Sequence, residues 1–130
     1  MTDPFRLAPI TAAALLAACS NVTMPWSQPA PARVADGVFV GLNGMTLYTF
    51  DRDTASAGKS MCNGPCATNW PPLLATATDA GSGEWTVLVR DDGARQWAYK
   101  GKPVYYWARD AKPGDRTGDG FNNAWRVARP

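Results

Sequence analysis

The segment Gly44-Met-Thr-Leu-Tyr48-Thr-Phe50-Asp-Arg-Asp53 is echoed 57 residues further on, without a gap, by Gly101-Lys-Pro-Val-Tyr105-Tyr-Trp107-Ala-Arg-Asp110. A short echo arises easily by chance. Glycine, aliphatic, tyrosine, aromatic, arginine and aspartate held in one register do not. Downstream, Asn69-Trp70 corresponds to the Asn122-Asn123-Ala124-Trp125 stretch with a gap of one or two residues. A chain duplicated in this way folds as two copies of one small unit around a shared core.

Each copy reads as a β-hairpin. Gly37 to Gly41 is strand-like, Asn43-Gly44 is a hairpin turn signal, and Met45 to Phe50 returns. In the second copy Arg95 to Tyr99 is strand-like, Lys100-Gly101 turns, and Pro103 to Trp107 returns, with the proline at the strand start where a missing N–H is tolerated. Trp85 to Arg90 adds a strand that leads into Asp91-Asp92-Gly93. The expectation is an all-β domain over residues 36–130, with at least five strands and repeats at about 37–78 and 94–128. Room remains for a short helical turn near Cys66.

Along a strand, alternate side chains share a face. Tyr48 and Phe50 therefore point one way, as do Tyr105 and Trp107, while Leu47 and Val104 point the other. Asp53 and Asp110 follow the strand ends, where a carboxylate can accept backbone N–H bonds and close a turn. Two roles stay open for these residues. Tyr48, Phe50, Tyr105, Trp107, Trp70 and Trp125 can fill a two-unit core. They can also line an aromatic groove closed by Asp, suited to sugar or peptide.

Composition narrows the chemistry. The chain has no histidine, which removes His-based triads, haem ligation through His and imidazole metal sites. Glu84 is its one glutamate. General acid–base work would fall on Asp, Tyr or Lys, a poor inventory near neutral pH, so catalysis is not expected. No cofactor is expected either. The 13 Lys+Arg are scattered among 11 Asp+Glu, unlike the basic stripe of a nucleic-acid binder.

The N-terminal residues read as an export signal. Leu7 to Ala17 is an apolar run too short to span a bilayer but long enough for a signal core. Leu16-Ala17-Ala18-Cys19 forms a bacterial lipobox, so residues 1–18 are expected to be removed and Cys19 lipidated. Several acyl chains on one cysteine anchor stably to a membrane. Ser20, in place of an aspartate that favours inner-membrane retention, points to the outer membrane. Residues 19–35, with Pro25, Pro29 and Pro31, read as a tether.

Cys62 and Cys66 are the remaining cysteines, and an oxidising compartment favours a disulfide between them. Gly64-Pro65-Cys66 also echoes a thioredoxin-type site, but with three residues between the cysteines instead of two. A soft-metal site with Met45 or Met61 is a third reading. Asp115, Thr117 and Asp119, followed by Gly120, match the first half of a calcium loop; position 12 is Arg126, where a bidentate glutamate belongs.

Several linked motifs carry a family resemblance: Tyr48-Thr-Phe50-Asp-Arg-Asp53, Cys62-Asn-Gly-Pro-Cys66-Ala, Trp70-Pro71-Pro72, Gln96-Trp97-Ala98-Tyr99-Lys100-Gly101 and Tyr105-Tyr-Trp107-Ala-Arg-Asp110. Together they resemble the predicted bacterial lipoproteins with a repeated Tyr-x-aromatic-x-x-Asp motif, a secreted repeat of unknown function. The resemblance covers about residues 37–128. It implies an exported envelope protein of tandem repeats and brings no established activity with it. The second copy lacks the cysteine pair and carries Gly-Asp-Gly-Phe-Asn-Asn instead. The combined expectation is a membrane-anchored envelope module that binds or braces a partner the sequence does not identify. Its rivals are an extracytoplasmic thiol redox accessory and a metal-binding protein.

Overall fold

A computed structural model describes residues 29–55 and 58–130. The expected signal peptide, Cys19 and most of the tether lie outside the described residues. Seven strands follow in chain order: β1 Ala32–Ala35, β2 Val38–Gly41, β3 Tyr48–Phe50, β4 Trp85–Val89, β5 Arg95–Tyr99, β6 Lys102–Tyr105 and β7 Trp125–Val127. Among the described residues one short α-helix, α1 Pro65–Asn69, opens on a proline at its first turn, where the missing N–H costs nothing. The architecture is thus mostly β, built from two pseudo-repeated units.

β1 and β2 form an antiparallel hairpin, and the other strands form a five-stranded antiparallel sheet in the order β4-β5-β6-β3-β7. The tight turns explain the hairpins. Asp36-Gly37 between β1 and β2 adopts φ of 50° and 80°, and Lys100-Gly101 between β5 and β6 adopts 49° and 81°. These left-handed pairs match the twist of the strands they join.

At the middle of the sheet β3 of the first repeat lies against β6 of the second, with Tyr48 directly opposite Tyr105. The closing segment of each repeat then crosses to the other. β7 pairs with β3, placing Val127 beside Tyr48, and Pro72 bridges to Tyr105. The backbone bonds come in matched sets. Asp51 N–H donates to Ala124 at 2.8 Å and Ala108 N–H to Asn69 at 2.9 Å. Ala128 N–H donates to Leu47 at 2.8 Å and Leu73 N–H to Val104 at 3.1 Å. Phe39 N–H donates to Ala128 at 2.8 Å and Trp97 N–H to Leu73 at 2.9 Å. Each of these bonds joins one repeat to the other. Pro71 and Pro72 carry no N–H, so the first crossing segment makes an isolated bridge where the second forms the β7 ladder.

The alternation along β3 and β6 places the two faces as expected. Tyr48, Phe50, Tyr105 and Trp107 enter one apolar cluster with Trp70 and Trp125. Leu47 and Val104 enter the other with Phe39, Leu73, Trp85 and Trp97. Several boundaries differ from the sequence reading. β1 begins at Ala32, within the stretch assigned to the tether, because Ala32-Arg-Val-Ala35 finds a partner in β2. The returning strands are shorter than expected: β3 starts at Tyr48, leaving Thr46 with a single bridge to Val40, and β6 ends at Tyr105.

Candidate functional site

The repeated motif builds one buried assembly from both units. Tyr48 Oη donates to Asp110 Oδ2 at 2.7 Å, and Tyr105 Oη donates to Asp53 Oδ2 at 2.6 Å. The tyrosine of each repeat therefore holds the aspartate of the other. The antiparallel β3–β6 pairing explains why. It runs the two strands past each other from the Tyr48–Tyr105 pair, so each chain end carries its aspartate toward the opposite tyrosine. Each carboxylate also fixes the loop that follows it. Asp53 accepts the Met61 N–H at 2.7 Å, and Asp110 accepts Thr117 N–H at 3.0 Å and its hydroxyl at 2.6 Å.

The rings obey the same exchange. Phe50 stacks on Trp125 at 4.2 Å, Trp125 on Trp70 at 3.8 Å with the planes 1° apart, and Trp70 on Trp107 at 4.0 Å. The four rings form one ladder with the pseudo-twofold between its two central tryptophans. Each motif aromatic lies on the tryptophan of the other repeat. Tyr48 and Tyr105 meet Trp70 and Trp125 edge-on. Gly118 lies flat against the ladder: a Cβ there would come within 2.7 Å of Trp70. Its N–H donates to Tyr48 Oη at 3.2 Å.

These placements bury the motif. Tyr48 and Tyr105 are fully buried, and Phe50, Trp70, Trp107 and Trp125 are nearly so. Both faces of each central ring are covered by another ring, and Phe50, Trp70 and Trp125 also line a hollow of about 330 Å³ with Phe121. Asp53 and Asp110 are also buried. Burial, followed by the hydrogen bond to the facing aspartate, pushes both phenols well above the usual tyrosine range. Burial raises the Asp53 carboxyl too, while its bonds from Tyr105 and Met61 and the charge of Arg90 pull it back down.

The raised phenols predict an alkaline weakness. A tyrosine with a raised folded-state pKa contributes stability that is intact below pH 10.0, the unfolded value, and is lost as pH rises toward the folded one. Tyr48 and Tyr105 together bring the loss above pH 10.0 toward two protons, about 2.7 kcal/mol per pH unit, and Tyr106, also raised by burial, adds to it in both proteins compared. Urea midpoints between pH 9 and 11 should fall accordingly, and less steeply in Tyr48→Phe/Tyr105→Phe. Equal slopes in both proteins would contradict this reading.

Arg90, Ser60 and Gln96 were not anticipated from sequence. Arg90 is 3% exposed. It donates to Ser60 Oγ at 3.0 Å, Gln96 Oε1 at 2.7 Å and the Cys62 carbonyl at 2.6 Å. Ser60 continues the chain to Tyr105 Oη at 2.6 Å. A cation from the second repeat thus anchors the cysteine loop of the first. An arginine at a strand end reads as exposed, and only its distant partners reveal otherwise.

Cys62 and Cys66 are joined by a disulfide, with Cys62 fully buried. Closing so small a loop contributes about 2 kcal/mol in the chain-entropy model. The calcium-like loop serves as a turn. Asp115 accepts the N–H groups of Ala111 and Lys112 and pairs with the Lys112 ammonium at 2.9 Å. Thr117 turns to Asp110, and Asp119 accepts the Val127 N–H at 3.2 Å. The three side chains are committed to separate partners, so they converge on no ion. Among the described residues no group of three or more His, Cys, Asp or Glu is placed to hold a metal.

No curated protein and no solved structure matches the chain. Residues 32–74 and 86–129 each match a family described as a secreted repeat of unknown function. The two matches coincide with the two interlocked units, each running from its first hairpin to its crossing segment. The chain belongs to this family of secreted repeats and carries two copies of its unit.

Proposed function

We propose that the mature protein is a lipid-anchored, non-catalytic module of the cell envelope, held at the outer membrane through Cys19, whose rigid two-repeat body binds or braces an envelope partner. The observation that carries this reading is the consumption of the motif inside the fold. Its tyrosines, aspartates, ring pairs and tryptophans bond to one another and present no reactive group to solvent. A repeat conserving chemistry for a reaction would expose some of it. The lipobox ending at Cys19 and the secreted character of the family support the location. Among the described residues no helix is long and apolar enough to cross a membrane. The rival thiol oxidoreductase needs a sulfur that a partner thiol can attack; Cys62 is enclosed, which would leave that role to the half-buried Cys66.

Growth of a Gram-negative host on labelled palmitate tests the proposal. The wild-type chain should take up label and sediment with the outer membrane, whereas Cys19→Ser should remain unlabelled. An unlabelled wild-type protein recovered in the soluble fraction would overturn the anchor.

A further inference from the structure

The pseudo-twofold relates two surface hollows that differ sharply in chemistry. One, of about 460 Å³, is lined by Lys100, Lys102, Arg126 and Arg129 with Tyr99 and Thr49 between them. Its acidic wall residue, Asp51, is paired with Arg126 at 3.0 Å. Among the described residues no carboxylate lies within ion-pair distance of Lys100, Lys102 or Arg129. The other hollow, of about 340 Å³, has Leu42, Leu73, Leu74 and Tyr106 on its wall.

The matched backbone bonds fix the equivalence of the two. Ala128 bonds to Leu47 as Leu73 bonds to Val104, so Arg129 corresponds to Leu74 and Arg126 to Pro71. The ungapped motif pairs Lys102 with Met45 and Thr49 with Tyr106, and Lys100 falls opposite Leu42-Asn43. Each of the four cations thus has an uncharged counterpart at the same place in the fold. The scaffold stands without the charges in one repeat; in the other Arg126 is bonded to Asp51 and the Asn123 carbonyl, which leaves Lys100, Lys102 and Arg129 to serve something besides the scaffold. Lys100 adds a second argument. It holds φ of 49° in a turn of the same form as Asp36-Gly37, in a conformation that Asp, Asn or Gly adopts more readily. Residues kept in unfavourable backbone regions concentrate at binding sites.

We propose that the Lys100–Arg129 hollow binds a phosphate-bearing ligand, with the phosphate among Lys100, Lys102 and Arg129 and a sugar- or glycerol-sized remainder beside Tyr99, whose ring the Lys100 ammonium overlies at 5.5 Å. The volume suits a small ligand. Compact lysine charges beside arginine forks suit phosphate oxygens. The site needs no lipid on Cys19. A soluble phosphorylated compound and a phospholipid headgroup share this chemistry.

The test uses the full chain in non-ionic detergent and follows its melting temperature at matched ionic strength. The probes are inorganic phosphate, glycerol 3-phosphate, and mixed micelles of phosphatidylglycerol or phosphatidylcholine, each against chloride. A saturable rise is expected, as for any ligand that binds the folded state alone. Lys100→Gln/Lys102→Gln/Arg129→Gln should weaken the response at least tenfold. Lys59→Gln/Lys112→Gln/Arg116→Gln, which removes equal charge elsewhere, should change it less than twofold. A rise with the soluble probes assigns the site to a free phosphorylated ligand, and a rise with phosphatidylglycerol micelles alone assigns it to a headgroup. No saturable response to any probe, or equal weakening by both triple variants, would overturn the proposal.

Discussion

Trp125→Ala should lower the stability of the domain by about 3–5 kcal/mol, the usual cost of removing a large buried aromatic side chain. Trp125 is sandwiched between Phe50 and Trp70 and meets Tyr105 edge-on at 5.1 Å. Its removal leaves a void at the centre of the ring ladder and uncovers one face of each neighbour. Small domains have about 5–15 kcal/mol in total, so the variant should be near its folding limit at 37 °C. Trp70→Ala should behave alike, since the pseudo-twofold gives it the equivalent place. Phe121→Ala is the comparison: that ring is 37% exposed and packs at the ladder's rim, so about 1 kcal/mol is expected. Urea titration followed by circular dichroism separates these values. A Trp125→Ala loss as small as that of Phe121→Ala would mean that the ladder is not the core of the fold.

Asp53→Ala should cost about 3 kcal/mol or more, through a different mechanism. The substitution strips the acceptor from Tyr105 and from the Met61 N–H, and removes the carboxylate whose charge is felt by buried Arg90. Tyr105 keeps Ser60 and Arg90 keeps Asp92 at 3.9 Å, so the cost lies in the orphaned Met61 N–H and in the weaker compensation of a buried phenol and cation. Asp53→Asn keeps an acceptor oxygen and should cost less than Asp53→Ala. Because burial raises the Asp53 carboxyl, its protonation favours the folded state below the unfolded value of 3.8. That contribution is lost as pH rises through the folded value. The wild type should therefore lose stability across this window relative to Asp53→Asn. The double variant Asp53→Ala/Tyr105→Phe should be less destabilised than the sum of its singles by about 1–3 kcal/mol. Asp91→Ala breaks an exposed pair with Lys59 and should cost under about 1 kcal/mol. Additive singles would show that Tyr105 and Asp53 do not act as a pair.

The parts of this fold legible in the sequence are those set by local rules. Strand β5, the Lys100-Gly101 turn and the opposite facing of Leu47 and Tyr48 follow from alternation and turn chemistry. The disulfide follows from two cysteines close in sequence in an oxidising compartment, and the short helix falls where a helical turn near Cys66 was allowed. The missed parts depend on partners far away in sequence. β1 was hidden by the proline-rich run beside it, and β7 has only three residues, so neither shows a period of its own. Asp53 and Asp110 were expected to pin their own turns, and they do. Their second bonds, to Tyr105 and Tyr48, cross between repeats, and spacing along one strand carries no information about that exchange. Arg90 was invisible for the same reason: its acceptors come from Ser60, Cys62 and Gln96.

All of these exchanges amount to one physical statement: neither repeat contains what its own core needs. The most direct measurement is to produce residues 29–80 and 81–130 as separate chains and record near-ultraviolet circular dichroism and thermal melting. Each fragment alone should lack an aromatic signal and a cooperative transition. Either fragment folding cooperatively by itself would contradict the interlocked account.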